Sequence, residues 1–147
     1  MNILPKLATI VFAISLVSSP ATSHGGADGA TLVRMDAMTE IQTTLKKLKS
    51  ALSPAAFSQT DVEAAFEDLR TFGSALPALF DENHMPHVSE ASPTIWQNKK
   101  DFAAEIEIFN SSVEAAAGKV VGTPQQVLRI IGKGCQSCHT NFRVKKN

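Results

Sequence analysis

The sequence predicts an all-α chain, an up-down-up-down four-helix bundle, and three observations lead there. Apolar residues recur at gaps of three and four in four separate stretches, the spacing that gathers them on one face of a helix. Clusters of Pro, Gly and Ser divide these stretches and leave fairly short connections, which favour antiparallel neighbours. No segment sustains the period-two alternation of a strand, and tyrosine is absent.

The first 23 residues stand apart from this pattern. Lys6 precedes an apolar run over residues 7–17, and small residues follow as far as Ser23. A positive start, a short apolar stretch and a small-residue region make a secretory signal peptide. The run falls short of the roughly 20 apolar residues that span a bilayer. Cleavage after Ser23 would release a chain starting at His24, with cleavage after Ala21 as the alternative and an uncleaved anchor as the competing reading. The expected organisation is a signal peptide over 1–23 and one helical domain over 24–147, exported to the periplasm. The full chain carries 14 basic and 14 acidic residues, so loss of Lys6 leaves a single net negative charge. No basic stripe suggests nucleic acid, and no apolar run beyond the signal suggests a membrane.

The first helical stretch begins near Asp28 or Thr31, carries Met38, Ile41, Leu45, Leu48 and Leu52, and ends at Ser53-Pro54. The second opens at Thr60, with Glu63 placed to complete a capping box. Val62, Phe66, Leu69, Phe72 and Leu76 form its stripe, and Pro77 marks a kink or an end. The third starts at Ser92-Pro93, a capping residue followed by proline at the first helical position. Its stripe is Ile95, Phe102, Ile106, Phe109, Val113 and Ala116, and Gly118 is placed to stop it. The fourth repeats that opening at Thr123-Pro124, with Gln126 completing the box. Val127, Ile130, Ile131, Cys135, Cys138 and Phe142 carry it to the end.

The chain's two cysteines lie three apart and a histidine follows: Cys135-Gln136-Ser137-Cys138-His139. That string is the attachment signature of c-type haem. Its thiols form thioethers with the haem vinyl groups, and its imidazole ligates iron on one side of the ring. At i, i+3 and i+4 of one helix the three groups share a face. A thiol–disulfide pair competes with this reading, but such pairs usually follow a strand, at a helix N-terminus that lowers the thiol pKa. A zinc site would need a second Cys or His pair at a recognised spacing, and none is present. One covalently attached haem c is therefore expected, bound near one end of the bundle. No nucleophile–base pair is seen, so the chain is not expected to be an enzyme.

Few residues follow His139, so any second iron ligand must come from far upstream. Bundle topology brings the start of the first helix and the end of the second to the level of His139. It thereby gathers Arg34, Met35, Met38, Leu76, Phe80, Ile95 and Trp96 there. Arg34 either pairs with a haem propionate or stands in solvent. Met38 either binds iron through its thioether or packs over the ring, and Met35 is a more distant neighbour. Trp96 covers the ring edge or fills the core. His84-Met85-Pro86-His87 holds two imidazoles and a thioether at the same end, as ligands or as solvated loop residues.

These residues resemble the class II c-type cytochromes, the family of cytochrome c′ and its low-spin relatives. The likeness rests on Ile131-Gly132-Lys133-Gly134-Cys135-Gln136-Ser137-Cys138-His139 and Phe142-Arg143. Upstream it extends to Ser92-Pro93-Thr94-Ile95-Trp96 with Phe102, and to Arg34 and Met38. It implies a four-helix bundle with Cys135 and Cys138 as attachment sites and His139 as proximal ligand. It also implies Arg143 beside the proximal face and Arg34 near a propionate. One branch keeps five-coordinate iron and binds nitric oxide or carbon monoxide. The other ligates iron with a helix-one methionine and carries electrons. The C-terminal motif is closer to the second branch, so a periplasmic electron carrier working with redox partner proteins is expected, with gas binding as the alternative. Family members often dimerise, so a homodimer is also implied.

Overall fold

A computed structural model describes residues 25–119 and 123–144. The expected signal peptide and His24 lie outside the described residues. Five helices run in order: α1 Gly29–Ala51, α2 Gln59–Leu79, α3 Thr94–Gln97, α4 Lys99–Ala117 and α5 Pro124–Phe142. The most extensive packing joins α4 to α5, then α1 to α2; α2 also meets α4, and α1 meets α5. That closed ring of four long helices is the expected bundle. Among the described residues the only strand-like pairing is one antiparallel bridge between Ala91 and Arg143.

The stripes read from the sequence form the core. Leu48, Leu69, Val113, Val127 and Ile131 have no measurable exposure, and each such side chain stabilises the fold by about 1.5–3 kcal/mol. Met38, Leu45 and Phe72 pack against its edge. Helix α5 begins as expected, with the Thr123 hydroxyl accepting the Gln126 N–H and Pro124 in the first turn.

Helix α2 starts earlier than expected. Its cap is Ser58, whose hydroxyl accepts the Asp61 N–H at 3.3 Å, rather than Thr60. Ser58 also donates its own N–H to the Ala51 carbonyl at 3.1 Å, so the tight turn out of α1 selects the capping residue. Pro77 does not end α2, which continues to Leu79. Proline removes the bond that an N–H at this position would make to the Gly73 carbonyl, and the helix runs only two residues past it.

The third expected helix is two helices. The Ser92 hydroxyl accepts the Thr94 N–H at 3.3 Å and bonds the Thr94 hydroxyl at 2.7 Å, which supports the single turn α3. Asn98 then leaves the helical region (φ −123°, ψ 57°) and α4 restarts at Lys99. Periodicity could not show this break, because Ile95 and Phe102 are both buried and stay in phase across it.

Two glycines set helix spacing. A Cβ on Gly134 would meet the Phe109 Cα at 3.0 Å and clash with the Ser112 hydroxyl. One on Gly73 would clash with the Asn110 side chain and approach Phe109 at 3.2 Å. Helix α4 is thus held close to α5 one residue before Cys135, and close to α2 on another side.

Candidate functional site

A cleft of about 350 Å³ opens at the end of the bundle where α1 begins and α5 finishes. Helix α1 contributes Thr31, Arg34, Met35, Met38, Thr39 and Gln42; α5 contributes Cys138, His139 and Phe142, with Arg143 next in the chain. Phe80, Ile95 and Phe102 add to the apolar part of the lining. Phe80 and Phe142 each meet Phe102 edge-to-face, at 5.0 and 5.2 Å between centroids. Such pairs fix ring orientation as well as exclude water.

Six of the seven residues singled out as cofactor-binding therefore share one cleft: Arg34, Met35, Met38, Cys138, His139 and Arg143. Cys135 does not line it; it is half-buried one turn earlier on α5, packed against the core edge. Of the other residues expected at this level, Phe80 and Ile95 line the cleft, whereas Leu76 and Trp96 do not. Leu76 is core. Trp96 turns away to donate its indole N–H to the Phe80 carbonyl at 2.9 Å.

Arg34 is only 4% exposed, which overturns its reading as a solvated side chain. Its guanidinium donates to three carbonyls at and beyond the end of α2: Leu79 at 2.9 Å, Glu82 at 2.7 Å and His84 at 3.0 Å. It lies between the Phe80 and Trp96 rings, 5.3 and 5.4 Å from their centroids. Burial lowers its pKa and Glu82 partly restores it. Three of its five N–H groups are thus committed to shaping the α2–α3 loop, with two left for other acceptors. Thr31 adds a fourth tie, donating to the His84 carbonyl at 2.8 Å.

The loop histidines stay outside the cleft lining. His84 pairs through Nε2 with Asp28 at 2.7 Å, and Met85 is exposed. The residues that do close this side were missed by sequence reasoning: Val88, Ser89, Glu90 and Ala91. They lie in an aperiodic segment between two prolines, which carries no pattern to read. Ser92 donates its N–H to the Phe142 carbonyl at 2.9 Å and Val144 donates to the Glu90 carbonyl at 2.8 Å. Glu90 also pairs with Arg143, with Arg143 Nε donating at 2.6 Å.

The electrostatics separate the candidate chemistries. Burial, then Glu105, then Cys135 push the Cys138 thiol up to about 11, and burial raises Cys135 as well. Thiol–disulfide exchange needs a depressed thiol pKa, so this environment disfavours it. Partial burial, then Arg143, hold the His139 imidazole below its ordinary pKa, against an opposing pull from Glu90. A neutral imidazole is the form that ligates metal. Among the described residues no cluster of three or more His, Cys, Asp or Glu is placed to hold a bare metal ion. Behind Cys138, Glu105 is buried; it accepts from Asn141 Nδ2 at 2.6 Å through one oxygen, and its Oε2 has no partner. Aromatic floor, thiols and neutral imidazole together fit a flat, largely apolar ligand that is held covalently and carries its own metal.

Comparison with known proteins agrees. A family model described as Cytochrome C' matches residues 30–143. Cytochrome c-556 of Rhodopseudomonas palustris is 35% identical over 97 residues, spanning 61% of this chain and 65% of the relative. The match thus covers slightly less than two thirds of that relative. Cytochrome c-554 of Cereibacter sphaeroides is 30% identical over 99% of both chains. Among solved structures, oxidised R. palustris cytochrome c556 superposes with a TM-score of 0.66 at 27% identity, covering 80% of this chain and 98% of that one.

Proposed function

The chain belongs to the cytochrome c′ family, whose members carry one covalently attached c-type haem, and on that footing we propose that it is an exported single-electron carrier. Haem bound in the cleft supplies a one-electron couple at its iron. Cys135 and Cys138 tether it through thioethers, so it cannot dissociate. His139 would hold the iron from α5, and Met38 would reach it from α1 through its thioether. The Phe80, Phe102 and Phe142 rings exclude water from the ring face. Arg34 and Arg143, both in the cleft lining, would offer guanidinium N–H groups to the propionates. A signal peptide over 1–23 would deliver the chain to the periplasm, where haem attachment to reduced thiols is completed.

The observation that carries this reading is that His139 and Met38, an imidazole and a thioether from two helices, line one cleft. A six-coordinate iron needs little rearrangement when its charge changes, which suits outer-sphere transfer. Absorption spectra of the purified ferric and ferrous protein, with and without carbon monoxide, test it. Sharp low-spin bands that carbon monoxide barely disturbs, lost in Met38→Ala, are expected. A high-spin spectrum that shifts readily with carbon monoxide would instead assign the chain to gas binding, with Met38 packing over the ring.

A further inference from the structure

Charge is divided unevenly along this nearly neutral chain. Residues 124–147 hold five basic residues and no acidic one, while residues 24–123 hold fourteen acidic and eight basic. Helix α5, which presents Cys138 and His139, holds two of the five, Arg129 and Lys133, and no acidic residue. Arg129 and Lys133 are both exposed and stand at i and i+4, on one face of α5. Neither has an ion-pair partner among the described residues, unlike Arg70, taken by Glu114, or Arg143, taken by Glu90. The face continues through Gly132, above which a Cβ would meet nothing within 4 Å, and through exposed Gln136 to exposed His139. From Lys133 to His139 the helix rises only about 9 Å, within a Debye length at ordinary ionic strength.

We propose that this outer face of α5 is where electrons are exchanged, and that it docks an acidic redox protein through Arg129 and Lys133. Unpaired cations beside an exposed stretch without acidic residues steer a partner of opposite sign and speed encounter without needing tight binding. The inference rests on the electron-carrier reading and names the partner's chemistry.

The haem-loaded ferrous protein is oxidised in stopped flow by ferricyanide and, separately, by the cation tris(phenanthroline)cobalt(III). In each case one electron leaves ferrous haem and reduces one oxidant ion. If the molecule's net negative charge governed encounter, salt would raise the ferricyanide rate and lower the cobalt rate. The proposal expects the ferricyanide rate to fall severalfold as ionic strength rises from about 10 to about 300 mM, and the cobalt rate to rise. Arg129→Gln with Lys133→Gln should flatten or reverse both trends without altering the spectrum. Lys46→Gln with Lys47→Gln, which removes equal charge from the exposed side of α1, should leave them intact. Flat trends in the unmodified protein, or trends that survive the α5 substitutions, would overturn the proposal. So would avid, Arg129- and Lys133-dependent binding to phosphatidylglycerol vesicles, which would assign the face to a membrane surface. Failure of the electron-carrier reading itself would show separately, as a high-spin spectrum with carbon monoxide binding.

Discussion

Glu90 and Arg143 form an ion pair that fastens the segment before α3 to the end of α5, four residues beyond His139. Both charges reach the imidazole, Arg143 lowering its proton affinity and Glu90 raising it. The same fields would act on an iron held by that imidazole. Ferric iron carries one more positive charge than ferrous, so Glu90 favours it and Arg143 disfavours it. Glu90→Gln should raise the midpoint potential and Arg143→Gln should lower it, measured by spectroelectrochemistry. The double substitution should return close to the unmodified value. Because both side chains are partly exposed, the loss of stability should stay within about 1 kcal/mol.

Arg34 organises the loop that closes the cleft. Removing it orphans the Leu79 carbonyl, leaves the Glu82 and His84 carbonyls with one donor each, the His84 N–H and the Thr31 hydroxyl, and opens space beside Phe80 and Trp96. Arg34→Leu should destabilise the fold by about 3 kcal/mol, since each bond to a charged donor contributes about 1.5–3 kcal/mol and the three are not additive. Urea unfolding measures it. Arg34→Lys should recover only part of the loss, because one ammonium cannot match a planar fork on three acceptors. Equal stability of all three proteins would remove Arg34 from this role.

Gly134→Ala tests the approach of α4 to α5. The new methyl meets the Phe109 Cα, a backbone atom that cannot rotate aside. The helices must separate, at a cost of about 1–3 kcal/mol, despite alanine's better helix propensity. Gly132→Ala, two residues away with open space above it, should instead be neutral or slightly stabilising. A thermal melt of both variants separates packing from propensity.

Thiol chemistry before haem attachment should be slow. The Cys138 pKa of about 11 means that little thiolate exists near pH 8 in the folded, haem-free protein. Alkylation by iodoacetamide should accelerate as pH rises toward 11 and stay far below the rate of an unfolded control at pH 8. Rapid alkylation at pH 8 would revive the thiol–disulfide reading. The stability linkage has a definite sign. A raised thiol pKa contributes stability below the unfolded value near 8.5 that is lost as pH climbs through 11.

Much of this protein was legible from local sequence. Helical stripes such as Val127, Ile131 and Cys135 depend only on the 3.6-residue period, and the Thr123-Pro124 opening depends only on hydrogen bonds within one turn. The Cys135–Cys138–His139 spacing likewise needs one helix and no partner. The tertiary structure decided what depends on meetings between distant segments. Arg34 became a buried tie because carbonyls 45 to 50 residues away converge on it. Glu90 reached the site because backbone bonds from Ser92 and to Glu90 lace its segment onto the end of α5. Ser58 displaced Thr60 as a cap because its N–H reaches back to Ala51. Periodicity records which face of a helix is apolar, whereas hydrogen bonds across 40 or 50 residues leave no period in the chain.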